Sequence, residues 1–163
     1  ILLYITFRFE FKYAIAATIG LLHDVLITVG TICILHMVGV PIQIELVTIA
    51  ALMAIIGYSL NDTIIIFDRI REDLKLHKKL DFKDVCNQAL NVTLSRTIMT
   101  SGTTILVLLA LVCLGGSTIF GFALVMTIGI LYGTLSSLFI AAPLLYFLEQ
   151  KFSKKVHVVI QAP

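Results

Sequence analysis

The chain has 163 residues, of which 59% are hydrophobic and only 13% are charged. About a quarter of the residues in a soluble domain are charged, so this composition excludes an ordinary water-soluble globular protein. It indicates instead that the lipid bilayer solvates much of the chain. The formal net charge of +2 is too small to favour nucleic-acid binding, and we expect no nucleic-acid partner.

Four long apolar segments follow one another along the chain, after a short apolar stretch at residues 1–7 that is typical of the end of a helix. Each segment is at least about as long as the ~20 residues that a helix needs to cross a membrane. The prediction is an all-α, polytopic transmembrane helical bundle with the end of one helix and four full helices. The four segments are residues 13–38, 44–67, 97–115 and 118–148.

Two of the connections, at residues 38–44 and 115–118, are short and rich in turn residues. Each joins two apolar segments, so the sequence predicts two antiparallel helical hairpins. Near the end of the last segment, Pro143 predicts a kink or a break, because proline donates no backbone hydrogen bond inside a helix.

Between the two hairpins, the residues after Asp81 show apolar side chains at helical spacing. This pattern predicts a short amphipathic helix on the membrane surface, with Asp81 as its N-cap and Asp84 completing a capping box. An ordinary solvated linker is the alternative.

The Lys and Arg residues alternate along the chain. Eleven of the 12 lie in residues 8–12, 68–95 and 149–163, whereas the two short connections contain none. The positive-inside rule places these three basic ranges in the cytoplasm. We therefore expect a membrane domain over residues 1–148, which includes the cytoplasmic loop 68–95, followed by a cytoplasmic C-terminal tail.

Ionisable residues inside apolar segments are the candidates for chemistry, because a buried charge is costly in a membrane. They are Asp24, Asp62 and Arg96. The last two lie toward the cytoplasmic side of antiparallel segments, which makes them a candidate ion pair that proton binding switches. A static ion pair that fixes helix packing is the alternative.

Asp24 follows His23, and the two belong either to a proton path or to a hydrogen-bonded contact between helices. Adjacent side chains on a helix point about 100° apart, so we do not expect these two to face each other.

A polar patch surrounds Asp62 in an otherwise apolar segment. Gly57 permits close approach of a neighbouring helix, and hydroxyl and amide side chains hydrogen-bond across helices. Gly129 and Gly133 form a GxxxG pattern, which predicts a close-packing face on the last segment. The supporting polar residues are Tyr58, Ser59, Asn61 and Thr63.

The sequence contains no Walker motif, no HExxH, no GxSxG and no dinucleotide fingerprint. We therefore expect neither an enzyme nor a cofactor. The His and Cys residues show no ligand spacing, so we expect no metal site.

Several motifs resemble those of SecF-like proteins in the SecD/SecF family, which serves bacterial protein export. The resemblance is closest at GYSLNDT, residues 57–63, and at DRIRE, residues 68–72, and it extends to about Leu148. The further matching positions are residues 23–25, 93–97, 100–104, 115–116, 121–122 and 129–130.

The resemblance implies a membrane protein with six helices and a periplasmic domain between the first two. This chain is then expected to hold the end of helix two through helix six. The resemblance also implies a function in the bacterial inner membrane, together with SecD and beside the SecYEG channel. There the proton-motive force drives exported preproteins outward.

Within this resemblance, the intramembrane Asp and Arg that are implicated in proton movement fall on Asp62 and Arg96, and Asp24 matches a third family position. The family belongs to the resistance–nodulation–division superfamily. Two alternatives remain for the chain. One is half of a proton-driven exporter of a small molecule or lipid, and the other is a scaffold whose buried charges only hold helices together.

Overall fold

A computed structural model describes residues 11–42, 45–76 and 81–160, with side chains up to residue 151, and its elements are all helical. The expected all-α, polytopic helical bundle is confirmed, although the stretch at residues 1–7 lies outside the described part. The helices are α1 (Phe11–Met37), α2 (Leu46–Leu76), α3 (Phe82–Leu114), α4 (Gly116–Ser136) and α5 (Ala142–Ile160), with a π-helical turn at Ser137–Ala141.

The stretches Phe11–Met37, Leu46–Leu76, Phe82–Leu114 and Gly116–Lys151 are long and apolar enough to cross a membrane. Their outer faces carry large hydrophobic side chains, as at Leu26 and Leu106, which are 62% and 68% exposed. Such exposure is unfavourable in water and is ordinary where lipid is the solvent. The chain is therefore a multi-pass membrane protein.

Helices α2 and α4 form the centre of the bundle, because each contacts the other and also both α1 and α3. The glycines of the GxxxG pattern allow the two central helices to approach closely. A Cβ atom on Gly129 would lie 2.1 Å from Ile55 Cδ1, and one on Gly133 would lie 3.0 Å from Ser59 Cβ. A larger residue at either position would push α4 away from α2.

Gly57 does not serve the close approach that the sequence led us to expect. A Cβ atom built there would meet no atom within 4 Å. The reason is rotational: Gly57 lies on the exposed face of α2, turned away from the other described helices.

The region between the hairpins also differs from the prediction. Helix α2 continues to Leu76, and the expected short amphipathic helix forms about the first four turns of α3, without a break. No Gly or Pro interrupts residues 82–101, so nothing in the sequence ends the helix there. Asp81 is the N-cap, but its side chain makes no capping hydrogen bond, so the predicted capping box is wrong.

The π-helical turn Ser137–Ala141 ends two residues before Pro143. Proline lacks an amide hydrogen and its ring crowds the carbonyl four residues earlier, which is that of Phe139. A π-helical turn spaces its hydrogen bonds five residues apart and accommodates that carbonyl. The irregularity expected near Pro143 therefore lies just before it. After it, α5 extends to Ile160, through most of the expected tail.

Candidate functional site

Two buried carboxyl groups lie on the two sides of the central α2–α4 pair. Asp24 on α1 is 1% exposed and Asp62 on α2 is 3% exposed. Each carboxyl accepts a hydrogen bond from a hydroxyl on a neighbouring helix, Ser59 for the first and Ser101 for the second. The site is therefore made of two carboxyl groups that bridge different pairs of helices.

Asp24 connects α1 to α2. Ser59 Oγ donates a hydrogen bond to Asp24 Oδ2 over 2.5 Å, which is the short range typical of a hydroxyl and a carboxylate. His23 Nδ1 lies 3.2 Å from Asp24 Oδ1, so our expectation that these neighbours do not face each other is wrong. Although their Cα–Cβ bonds diverge, the side chains are long enough to bend toward each other. Asp24 is thus both a contact between helices and the neighbour of a titratable ring.

Asp62 begins a line of polar side chains that crosses three helices. Ser101 Oγ on α3 donates to Asp62 Oδ2 over 3.3 Å, and Thr134 Oγ1 on α4 lies 2.7 Å from Ser101 Oγ. The first distance is long for an O–H···O hydrogen bond, whereas the second is ordinary. Neutral hydroxyls compensate a buried negative charge less fully than a cation does, so the protonation state of Asp62 matters for packing.

Arg96 does not touch Asp62. Its side chain is exposed on α3, and it forms no ion pair among the described residues. Asp62 meets α3 at Ser101 instead, five residues further along. That spacing is about 7.5 Å along the axis and about 140° around the helix. The charge of Arg96 acts on Asp62 only through space.

The polar patch around Asp62 is distributed around α2. Tyr58 Oη lies 3.1 Å from Thr104 Oγ1 on α3, and Thr63 Oγ1 donates to the carbonyl of Ser59 on its own helix. Asn61 is exposed on the face that turns away from the other described helices. The side chains of successive residues on a helix point in directions about 100° apart, so the residues of one continuous motif lie on all faces of α2.

Sequence reasoning missed the hydroxyl partners Ser101, Thr104 and Thr134. A signal was available on α3, because residues 97–104 are rich in hydroxyl side chains, and Thr97, Ser101 and Thr104 among them are spaced by four and three residues. That spacing puts the three hydroxyls on one helix face.

Asp73 was also missed, because it falls in the range that we assigned to a cytoplasmic loop. Its side chain is fully buried near the end of α2, and Asp73 Oδ1 lies 3.1 Å from Arg69 Nη2. Asp73 follows Asp62 by eleven residues, which places both carboxyl groups on nearly the same face of α2.

The described residues contain no group of three or more His, Cys, Asp or Glu that is arranged to hold a metal ion. The polar atoms of the site are carboxyl and hydroxyl oxygens, which exchange and pass protons.

Membrane-crossing helices with carboxyl groups buried between them define an α-helical membrane protein with an ionisable interior. A model of the family described as "Protein export membrane protein SecD/SecF, C-terminal" matches residues 1–151. The chain belongs to this family, which confirms the resemblance seen in its motifs.

Relatives and solved structures agree with this assignment. The chain is 45% identical to the protein translocase subunit SecF of Rhodothermus marinus over 152 residues, which are 93% of this chain and 49% of that protein. It is 47% identical to the SecF subunit of Koribacter versatilis over 144 residues, which are 88% of this chain and 34% of that protein. The chain thus spans about half, or less, of the length of these relatives.

A crystal structure of SecDF in its super-membrane-facing form is similar to 99% of this chain with a TM-score of 0.86 and 41% identity. The chain covers 21% of that protein. The structure of SecDF, a translocon-associated membrane protein from Thermus thermophilus, matches 91% of this chain with a TM-score of 0.84 and 42% identity. This chain covers 20% of the Thermus thermophilus protein.

Proposed function

We propose that this chain is the membrane region of a SecF-like accessory subunit of the Sec protein translocase, which couples the proton-motive force to protein export. The observation that carries the proposal is the buried carboxyl of Asp62 among neutral hydroxyls, in a chain of the SecD/SecF family. The partners are SecD, the SecYEG channel, the exported preprotein and the lipid bilayer. The subunit acts without enzymatic chemistry.

The membrane is the bacterial inner membrane, and the basic ranges 8–12, 68–95 and 149–163 face the cytoplasm. The support for this orientation is the distribution of Lys and Arg, since 11 of the 12 lie in these three ranges. The chain corresponds to the end of helix two through helix six of the full subunit, whose remaining part carries the movement to the outer side.

The mechanism depends on two arrangements of α2 and α3. When Asp62 is ionised, the cation of Arg96 is its preferred partner, and a rotation and axial shift of α3 bring the two side chains together. When Asp62 is protonated, that attraction is lost and the pairing with Arg96 is broken. Asp24, with His23 beside it, is the second carboxyl of the proton path and lies on the other side of α2.

The membrane potential supplies enough free energy for this change. One charge that crosses 100 mV releases about 2.3 kcal/mol, which is sufficient to shift a two-state helix arrangement whose states differ little in stability. A subunit that is only a scaffold would use none of this free energy. An experiment can therefore distinguish the two functions by comparing export with and without a proton gradient.

The test is preprotein translocation into inverted membrane vesicles that carry the full-length protein with SecD, with and without a proton gradient. We expect Asp62→Asn and Arg96→Ala to lose the gradient-dependent part of translocation and to keep the basal part. Asp84→Asn is the matched control, because it makes the same chemical change at an exposed site on the first turn of α3. Full gradient-dependent stimulation in both variants, with an assembled complex, would show that these residues only pack helices.

A further inference from the structure

We propose that Ser101 and Thr134 form a two-member hydroxyl relay whose hydrogen bonds reverse direction when Asp62 gains or loses a proton. The relay communicates the protonation state from α2 through α3 to α4. This inference rests on the proposed function, because it requires that Asp62 exchanges protons, and it names the residues that respond to the exchange.

The geometry offers Thr134 two alternative acceptors. Thr134 Oγ1 lies 2.7 Å from Ser101 Oγ and 2.8 Å from the carbonyl oxygen of Ile130 on its own helix. A hydroxyl has a single hydrogen, so Thr134 donates to only one of the two at any time. Ser101 faces the same choice between Asp62 Oδ2 and Thr134 Oγ1.

Each protonation state of Asp62 selects one direction for the whole line. With an ionised carboxylate, Ser101 donates to Asp62 and Thr134 donates to Ser101. With a protonated carboxyl, Asp62 donates to Ser101, Ser101 donates to Thr134, and Thr134 donates to the carbonyl of Ile130. The second state contains one more proton, on Asp62, and every hydroxyl keeps its own hydrogen. In both states, every hydroxyl and carboxyl hydrogen of the line is donated in a hydrogen bond.

The relay ends beside Gly133, about one turn after the closest contact between α4 and α2 at Gly129. Thr134 follows Gly133, whose Cα faces Ser59, and Ser59 donates to the second carboxyl, Asp24. A change in the hydrogen bond from Thr134 to Ile130 therefore occurs on the turn of α4 that contacts the Asp24 side of α2. This gives the two carboxyl groups a structural connection that does not require them to touch.

The other charged and titratable groups around the relay do not connect the Asp62 carboxyl to α4. Among the described residues, only Ser101 is hydrogen-bonded to the Asp62 carboxyl. The charged residues of α5 begin at Glu149, which pairs with Lys12 at the cytoplasmic end. Asp24 and His23 lie on the other side of α2, and Arg96 is exposed on α3. The Tyr58 hydroxyl of α2 contacts Thr104, and α4 has no charged residue, its Tyr132 hydroxyl lying 3.4 Å from Thr31 Oγ1.

The test uses the full-length protein with SecD in proteoliposomes and two readouts. The first is the infrared C=O band of protonated Asp62, identified by its loss in Asp62→Asn, because its position reports the hydrogen bonding of the carboxyl. The second is gradient-dependent export. The variants are Ser101→Ala and Thr134→Val, with Thr134→Ser as the conservative rescue. Thr127→Val is the matched control, because that hydroxyl on α4 donates to the Ala123 carbonyl.

We expect Thr134→Val to shift the Asp62 band although the two side chains do not touch, and Thr134→Ser to restore it. Gradient-dependent export should fall by about tenfold in Ser101→Ala, the effect of losing one hydrogen bond to a charged group, and by less in Thr134→Val, which loses a hydrogen bond between neutral hydroxyls. The control variant should leave both readouts unchanged.

Two results would overturn the inference in distinguishable ways. If Asp62→Asn abolishes gradient-dependent export but Thr134→Val matches the wild type in both readouts, the relay is wrong and the proposed function stands. If Asp62→Asn itself leaves gradient-dependent export intact, the proposed function fails and the relay fails with it.

Discussion

At the scale of single residues, Gly129 occupies the tightest contact between α2 and α4. A Cβ atom there would overlap Ile55, whose three nearest side-chain atoms lie 2.1, 2.5 and 2.9 Å away. Ile55 is buried and β-branched, so it has little freedom to move aside. We expect Gly129→Ala to lower the free energy of unfolding of the full-length protein in detergent by about 1–3 kcal/mol.

The control for this prediction is Gly30→Ala, since a Cβ atom at Gly30 would meet no atom within 4 Å. The double variant Gly129→Ala with Ile55→Ala should recover part of the loss, because it removes the overlapping side chain. Equal stability of Gly129→Ala and Gly30→Ala would contradict close packing at this position.

A second prediction concerns the bond between Ser59 and Asp24. Ser59→Ala removes a short hydrogen bond from a carboxyl that is 1% exposed, so we expect the free energy of unfolding to fall by about 1–3 kcal/mol. In an Asp24→Leu background the same change should cost much less, because the carboxyl that needs the donor is gone. Ser136→Ala is the control, since this buried hydroxyl donates only to the Gly133 carbonyl.

The sequence identified both buried carboxyl groups but not their partners. Asp24 and Asp62 are conspicuous because a charge in an apolar segment is costly wherever the helix is rotated. Partners such as Ser101 depend on how α3 is rotated about its axis, which the many hydroxyl side chains between residues 97 and 104 leave open. The expected contact with Arg96 was inferred from depth alone, and rotation directs that side chain elsewhere.

At the scale of elements, the sequence predicted the ends of a helix well where turn residues follow it. It predicted them poorly where no turn residue interrupts the helix. The hairpin turns between α1 and α2 and between α3 and α4 lie where the sequence predicted them. The apolar segment predicted from residue 97 is continuous with the helix that begins at Phe82, because hydropathy is low over residues 82–96 while helix propensity continues. In this chain, the residue at which an apolar segment begins is therefore not the residue at which its helix begins.

The π-helical turn Ser137–Ala141 allows a prediction at this scale. In Pro143→Ala the new amide donates a hydrogen bond, and the crowding at the Phe139 carbonyl disappears. We expect slower hydrogen–deuterium exchange over residues 137–145 of the full-length protein, measured by mass spectrometry. Pro41→Ala is the control, because Pro41 lies in the loop before α2. Unchanged exchange in Pro143→Ala would show that packing, rather than proline, maintains the turn.

At the scale of the whole molecule, the two candidate carboxyl groups lie in separate polar regions between the described helices. The Asp24–Ser59 contact lies between α1 and α2, and the Asp62–Ser101–Thr134 line lies between α2, α3 and α4. Both regions meet the central α2–α4 pair, so movement of one central helix against the other affects both carboxyl groups. This arrangement could not be read from the sequence, because it follows from which helices are neighbours.

The orientation of the molecule in the membrane is the final prediction. If the basic ranges are cytoplasmic, Lys83 and Ser117 lie on opposite sides of the membrane, at the two ends of the α3–α4 hairpin. Both residues are exposed, so a cysteine at either site is accessible to a label. The three native cysteines, of which Cys33 and Cys113 are exposed, are first replaced by serine.

In inverted vesicles, a membrane-impermeant maleimide should label Lys83→Cys at once and Ser117→Cys only after detergent is added. Labelling of both variants in detergent is the control for reactivity. The reverse pattern would place the basic ranges outside, and Asp62 would then lie toward the outer side. Proton entry to the site would have to be reassigned in that case, because the roughly nine ångströms of helix between Asp62 and the basic range would lead to the opposite compartment.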